Sequence, residues 1–240
     1  MIKSLKTLYQ RQMFFPGWLG IFVNPFYFAR SGLRDAMSEF APLLSGRLLD
    51  VGCGSKPYQA LFTVDAYVGL DIDSEASRKR GIADHHYDGN VFPFADASFD
   101  SILCNQVLEH VFNPNGFLEE IVRVLKPGGK LLLTVPFVWD EHEQPYDYAR
   151  YSSFGLRALL EKQGLKIVHH KKIGADASIL FQLANAYLFK VTQGFSRPTK
   201  LMFTASVMAF VNLSGLLARR VLPDNPDLFL DQVVFAEKAS

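Results

Sequence analysis

Cysteine is nearly absent: Cys53 and Cys104 are the only two in 240 residues. Two thiols cannot build a disulfide framework, and neither stands in a spacing that would hold a zinc ion. They read as small buried side chains. Charge of one sign is also missing. Lys and Arg number 25 against 24 Asp and Glu, a net charge of +1. That balance supplies no long-range pull toward phosphate backbones, so no nucleic-acid partner is expected. There is no internal repeat and no low-complexity tract, which sets aside solenoids and disordered arrays. The opening MIKSLKTLYQRQMFFPGWLG has basic residues but no apolar core followed by a small-residue cleavage site. No secretory signal is read there, and a cytoplasmic location is the expectation. His85 and His86 are adjacent and would point to opposite faces of a strand, so they do not share an ion, and no metal is expected.

What is present suits one domain with an elaboration: 49% of residues are apolar and 20% charged. Residues 1–45 form an aromatic cap, with Phe14, Phe15, Trp18, Phe22, Phe26, Tyr27 and Phe28 interrupted by Pro16, Gly17, Asn24 and Pro25. Arg30–Leu44 reads as a helix from the spacing of Leu33, Met37, Phe40 and Leu44. Such a cap lids a cleft, lies on a membrane surface or simply covers a sheet. From Gly46 strands and helices alternate. Strands are expected at Arg47–Val51, Ala66–Leu70, Asp84–Tyr87, Phe99–Cys104, Lys130–Val135, Leu165–Ile173 and Leu228–Glu237. Helices are expected at Pro114–Leu125 and Ser152–Gln163. The alternation implies a mostly parallel sheet covered on both faces. Residues 46–174 and 226–240 then form the main domain, and residues 175–225 an apolar helical insertion before the last strand. Within it Leu201–Ala218 carries no charge, near the minimum length for a bilayer span. Thr204, Ser206, Asn212, Ser214 and Gly215 dilute it, leaving a packed insertion or an interfacial helix as the alternatives to a span.

The chemistry-bearing residues begin at LLDVGCGSKPY. A buried strand runs into Gly52 and Gly54, which let a ligand approach the backbone and permit unusual turn angles. Ligands of doubly wound sheets sit outside the carboxyl ends of the strands. The second strand ends in Gly-Leu-Asp-Ile-Asp, placing Asp71 about twenty residues after the first glycine, where a carboxylate can accept from both hydroxyls of a ribose. Asp88 follows the short third strand and can accept from an adenine amino group, with Val91 or Phe92 against the ring. The fourth strand runs into Asn105-Gln106 and then Leu108-Glu109-His110.

Taken in order, LLDVGCG, VGLDID, FPFADASFD, QVLEHV and LKPGGKLLLTVP resemble the class I S-adenosylmethionine (SAM)-dependent methyltransferases, in particular the small-molecule branch (methyltransferase-11-like). The resemblance covers roughly Leu48 to Val138. It implies an α/β, Rossmann-like sheet of seven strands with an antiparallel last strand. It implies SAM contacts at Gly52, Gly54, Asp71, Asp88 and Asn105, with Asp50 and Gln106 near. The chain departs from the pattern at Lys56, where many members have a third glycine. Lys56 either puts a cation near the methionine carboxylate or points outward.

Methyl transfer from a sulfonium is a direct displacement that needs alignment and exclusion of water. A base is required only when the acceptor must lose a proton. After the fifth strand, TVPFVWDEHEQPYDYARYS gathers Trp139, Asp140, Glu141, His142, Glu143, Tyr146, Asp147, Tyr148 and Arg150, and resembles the acceptor loop of related methyltransferases. His142 is the candidate general base, oriented by Asp147 or Glu141. Arg150 either pairs an anionic acceptor or caps the next helix. The expected activity is O- or N-methylation of a small-molecule, sugar or lipid-type acceptor, with peripheral membrane contact suggested by the aromatic cap and the insertion. Two other classes compete. A methyltransferase fold without activity would keep the same loops as a binding module. A nicotinamide-dependent oxidoreductase would use the glycine loop and Asp71, but G-x-G-x-x-G fails at Pro57.

Overall fold

A computed structural model describes residues 2–239. Their contacts divide the chain into two compact units. One holds residues 37–137, 141–171 and 232–240, the other residues 1–36, 138–140 and 172–231.

The first unit is built on the sheet. Its strands are β1 (Arg47–Val51), β2 (Ala66–Ile72), β3 (His85–Tyr87), β4 (Phe99–Asn105), β5 (Leu125–Pro136), β6 (Leu165–Ile173) and β7 (Asp231–Lys238). The order is β3-β2-β1-β4-β5-β7-β6. Strands β1 to β5 pair in parallel, and the closing strand is antiparallel, as in Rossmann-like methyltransferase folds. Apolar runs without alternation mark the central strands because both faces are covered: Leu48, Leu49, Val51, Leu131, Leu132 and Leu133 are fully buried. The helix Pro114–Val124 covers one face with Phe117, Leu118, Ile121 and Val124. It starts where Asn113 Oδ1 accepts from the Gly116 N–H at 3.3 Å, with Pro114 in the first turn. Strand β1 lies between β2 and β4, so the order reverses there, and the carboxyl ends of β1 and β4 are where sheets of this kind bind ligands.

Several boundaries differ from the sequence expectation for physical reasons. Strand β5 starts at Leu125 because Leu125 pairs with Phe99 before a register shift. The helix near the N-terminus spans Tyr27–Phe40 and gives way to a 3₁₀ turn, Ala41–Leu43. Pro42 disfavours helical geometry at the residue before it, which ends the helix at Phe40. A short helix, Glu75–Arg80, was not anticipated. It has an N-cap at Ser74, whose side chain accepts from the Ser77 N–H, and a left-handed Gly81 at its end.

The second unit is helical. Ile2–Phe14, Gly20–Val23 and Ser178–Val191 belong to it, as does a continuous 25-residue helix, Arg197–Val221, with a π-helical stretch at Thr204–Met208. Its buried polar side chains are bonded to one another and to backbone. Asn185 Nδ2 donates to Met208 O at 3.1 Å and Asn212 Oδ1 at 2.9 Å. Asn212 Nδ2 donates to Ile21 O at 2.8 Å. Gln182 Oε1 accepts from the Phe28 and Ala29 N–H groups at 3.0 and 3.2 Å. Gly215 lets this helix approach closely, since a Cβ there would stand 2.6 Å from the Phe28 ring. By length and composition Arg197–Val221 could cross a bilayer, and a third of its apolar window is buried.

Candidate active site

Both glycines after β1 adopt left-handed geometry, with φ of +68° at Gly52 and +50° at Gly54. A Cβ at Gly52 would stand 2.4 Å from Val107, whereas one at Gly54 would meet nothing nearer than the Gly52 carbonyl at 4.0 Å. Gly52 is therefore required by packing as well as by backbone conformation, and Gly54 leaves open space for a ligand. The Gly52 and Cys53 N–H groups donate to Leu70 O at 2.8 and 3.0 Å, fastening this loop to the end of β2.

Asp50, on β1, is buried and accepts from Tyr67 Oη at 2.6 Å. Burial pushes its carboxyl up to about 7, against the opposing effects of the Tyr67 hydrogen bond and the Lys56 charge. Asp71, near the end of β2, is also buried. Its Oδ1 accepts from the Ile72 N–H at 2.9 Å, and its Oδ2 from Ser77 Oγ and Arg80, both at 2.9 Å. Two oxygens offer about four acceptor positions, so capacity for a ribose hydroxyl remains. Ser77 and Arg80 come from the short helix that the sequence reading left out. Asp88 is exposed and forms a turn, Oδ1 accepting from the Asn90 and Val91 N–H groups at 2.9 and 3.2 Å. Those two bonds hold its carboxyl below the usual range. Phe92 is spent in the core against Tyr87 and Phe117, which leaves Val91 as the exposed apolar side chain of that turn. Asn105, ending β4, has its Oδ1 bonded by Thr134 Oγ1 at 2.8 Å, and Gln106 donates from Nε2 to the same hydroxyl at 3.2 Å. Gln106 has φ +56°, a left-handed kink at the strand tip.

Lys56 resolves the departure from the glycine pattern. Its stem crosses the bare backbone of Gly69, and its Nζ stands 2.6 Å from Asp84 Oδ2. Burial raises the Asp84 carboxyl, but Lys56 and the Gly69 N–H together hold it below its ordinary value. Cys53 and Cys104 are buried free thiols, and burial pushes Cys53 up to about 12.

The cofactor fits this frame on three grounds. Gly54 leaves open space in the glycine loop, Asp71 stands near the end of β2 with acceptor capacity remaining, and both lie at the sheet's topological switch.

Just after β4, a 3₁₀ turn, Leu108–His110, carries Glu109 and His110. The acceptor loop is pinned to this turn: the Tyr148 and Ala149 N–H groups donate to Glu109 O at 2.8 and 3.2 Å. His110 Nδ1 lies 2.8 Å from Tyr146 O. His142 Nδ1 lies 3.2 Å from Asp147 Oδ2, and the His142 N–H donates to the same oxygen at 2.9 Å. Arg150 grips Asp147 with two bonds of 2.5 and 2.7 Å. Burial raises the Asp147 carboxyl, but Arg150 and the His142 N–H outweigh it and hold it at about 2. Of the two carboxylates considered for His142, Asp147 stands at the ring, while Glu141 accepts from Gln144 at 3.3 Å. The His110 and His142 rings meet edge to face at 4.8 Å. The side chains of Glu109, His110 and His142 thereby come together, with ligand-type atoms within 4.8 Å of one another. Glu109 and His110 are neighbours, but His142 comes 32 residues after His110, and that separation hid the grouping from the sequence.

A methyltransferase-domain family model matches residues 49–133. An uncharacterized protein of Methanocaldococcus jannaschii is 31% identical over 171 residues, covering 67% of this chain and 81% of that protein. A ubiquinone biosynthesis O-methyltransferase of Xylella fastidiosa is 33% identical over 112 residues, covering 42% of this chain and 46% of that enzyme, so the match spans less than half of it. In fold, the crystal structure of a SAM-dependent methyltransferase from Mesorhizobium loti matches with a TM-score of 0.54 at 15% identity, covering 88% of this chain and all of that one (100%). With the glycine loop, the strand-end aspartate and the sheet order already described, these matches show that the chain belongs to the class I SAM-dependent methyltransferases.

Proposed function

We propose that the chain methylates a hydroxyl on a lipid-type or other small acceptor, with His142 and Asp147 as the pair that handles the acceptor's proton. The observation that carries this is the fixed Arg150–Asp147–His142 series on the acceptor loop. A carboxylate held by a guanidinium orients the imidazole and supports the charge it gains on taking a proton. Bound SAM supplies a methyl group on a positively charged sulfur. Gly52 and Gly54 would bear its amino-acid end, Asp71 its ribose, Asp88 and Val91 its adenine, with Asp50, Asn105 and Gln106 bordering the sulfonium end. With SAM bound, His142 would take the proton that the acceptor hydroxyl gives up on receiving the methyl group.

The lipid-type acceptor is favoured by the second unit. Residues 177–223 contain five cations and no Asp or Glu: Lys190 and Arg219 pair with Asp140 and Asp176, and Arg197, Lys200 and Arg220 add further positive charge. Met202, Phe210, Leu217 and Val221 form an exposed apolar stripe at helical spacing, each at least 64% exposed. An apolar stripe flanked by cations suits an anionic bilayer surface. The quinone-pathway O-methyltransferase among the relatives fits the same acceptor class.

The test is His142→Ala, assayed for radiolabelled methyl transfer from saturating SAM to a short-tailed isoprenoid quinol and to a panel of hydroxylated small molecules. The expected loss of turnover is about 10²–10⁴-fold with cofactor affinity kept. Unchanged turnover on any accepted substrate removes His142 from this role.

A further inference from the structure

We propose that Glu109, His110 and His142 bind a divalent first-row transition-metal ion on the acceptor side of the sheet. Three ligand atoms of suitable type lie within 4.8 Å of one another. Around an ion with bonds of about 2.1 Å, tetrahedral neighbours stand about 3.4 Å apart, so small rotations close the set. Both imidazoles are partly exposed, which leaves room for those rotations.

Orientation separates this cluster from an accidental one. His110 has its Nδ1 engaged by the Tyr146 carbonyl at 2.8 Å, so the proton resides there and Nε2 presents its lone pair; that Nε2 is 3.8 Å from Glu109 Oε1. His142 has its Nδ1 facing the Asp147–Arg150 pair, 3.2 Å from Asp147 Oδ2 and 3.5 Å from Arg150 Nη2, so Nε2 is the ring nitrogen turned from that pair. A backbone carbonyl on one imidazole and a carboxylate on the other are the outer partners that metal-bound histidines use. Glu109 supplies the carboxyl oxygens. It is completely buried, and its main chain is locked by two N–H bonds from the loop that carries His142. The loop contacts that assemble the three side chains are thus backbone bonds rather than exposed ion pairs. Two imidazoles and one carboxylate select Zn²⁺, Mn²⁺, Fe²⁺ or Co²⁺ over Mg²⁺ or Ca²⁺, which prefer all-oxygen shells.

The purpose of such an ion rests on the methyltransferase reading: a Lewis acid beside the acceptor hydroxyl favours loss of its proton. With the ion bound, His142 serves as a ligand; without it, His142 remains the proton acceptor proposed above. The ion's existence does not depend on that reading.

Tag-free full-length protein, stripped with a chelator and then freed of it, is titrated with Co²⁺ while visible absorption is followed. Zn²⁺ affinity is measured by competition with a chromogenic chelator, and S-adenosylhomocysteine affinity by calorimetry on the same samples. The expected result is one equivalent of either ion. His110→Ala and His142→Ala each weaken binding by about 100-fold or more, Asp147→Asn weakens it by about 10–100-fold, and His85→Ala leaves it unchanged. S-adenosylhomocysteine binding stays at the wild-type level in all of these, which also certifies folding. Wild-type protein that takes up no ion, or His110 and His142 variants that bind as tightly as wild type, overturns the proposal while leaving the cofactor assignment intact. Failure of wild-type protein to bind S-adenosylhomocysteine strikes the methyltransferase reading instead.

Discussion

At the scale of single residues, Gly52 and Gly54 look equivalent in the sequence but do different work. Alanine at Gly52 would meet both left-handed strain and Val107, whereas alanine at Gly54 meets only the strain, about 1–2 kcal/mol. Gly54→Ala should therefore fold with a modest loss in urea stability and show SAM affinity reduced about tenfold or more, because its methyl group enters the open cradle. Equal SAM affinity measured by calorimetry would mean that the cradle lies elsewhere. Asp50 makes a second prediction, through pH. Its folded carboxyl sits at about 7 and its ordinary value is 3.8. The folded state thus holds a proton that the unfolded state has released between those values. The stabilisation is complete below about pH 4 and is lost as pH rises through about 7, an effect on the order of a few kcal/mol. Asp50→Asn should flatten the fall in urea stability between pH 5 and pH 8; an unchanged slope would place its cause elsewhere. The positions of Gly52, Gly54, Asp50 and Asp71 were legible because each lies close to the end of a strand and within a local motif. Their partners were not. Tyr67 meets Asp50 across neighbouring strands, and His142 meets Glu109 and His110 only through tertiary packing, while Ser77 and Arg80 reach Asp71 from the short helix six and nine residues further on.

At the scale of elements, the strands and the major helices follow from apolar runs, caps and glycines. The helix Glu75–Arg80 shows how such signals can be present and still be passed over. Ser74, Glu75, three cations in the last turn and Gly81 mark its ends, but six residues leave no apolar period to draw attention. The helix Arg197–Val221 presents the opposite difficulty. Its composition fits a bilayer span, and only the structure separates its buried side, with Asn212 bonded to backbone, from its exposed apolar side. Replacing Met202, Phe210 and Leu217 together with glutamate should abolish cosedimentation with vesicles containing anionic lipid, leave S-adenosylhomocysteine binding unchanged, and reduce methylation only of membrane-held acceptors. Retained sedimentation of that variant would reject this face as the contact.

At the scale of the whole molecule, strand order decides where chemistry can occur. The strand order reverses at β1, and the two motif groups, the glycine loop with Asp71 and the turn with Glu109 and His110, lie at the carboxyl ends of strands at that reversal. The fold was readable because its five motifs occur in order. The acceptor was not, because residues that choose a substrate are dispersed over loops and helices whose meeting depends on the tertiary structure. The cofactor half is the claim on which everything else is built. Isothermal titration of S-adenosylhomocysteine into wild-type protein and into Asp71→Asn tests it directly. Saturable one-to-one binding that weakens about tenfold or more in the variant is expected, since a hydrogen bond to a charged group contributes about 1.5–3 kcal/mol. Equal affinity in the two proteins, or no binding by the wild type, would contradict it.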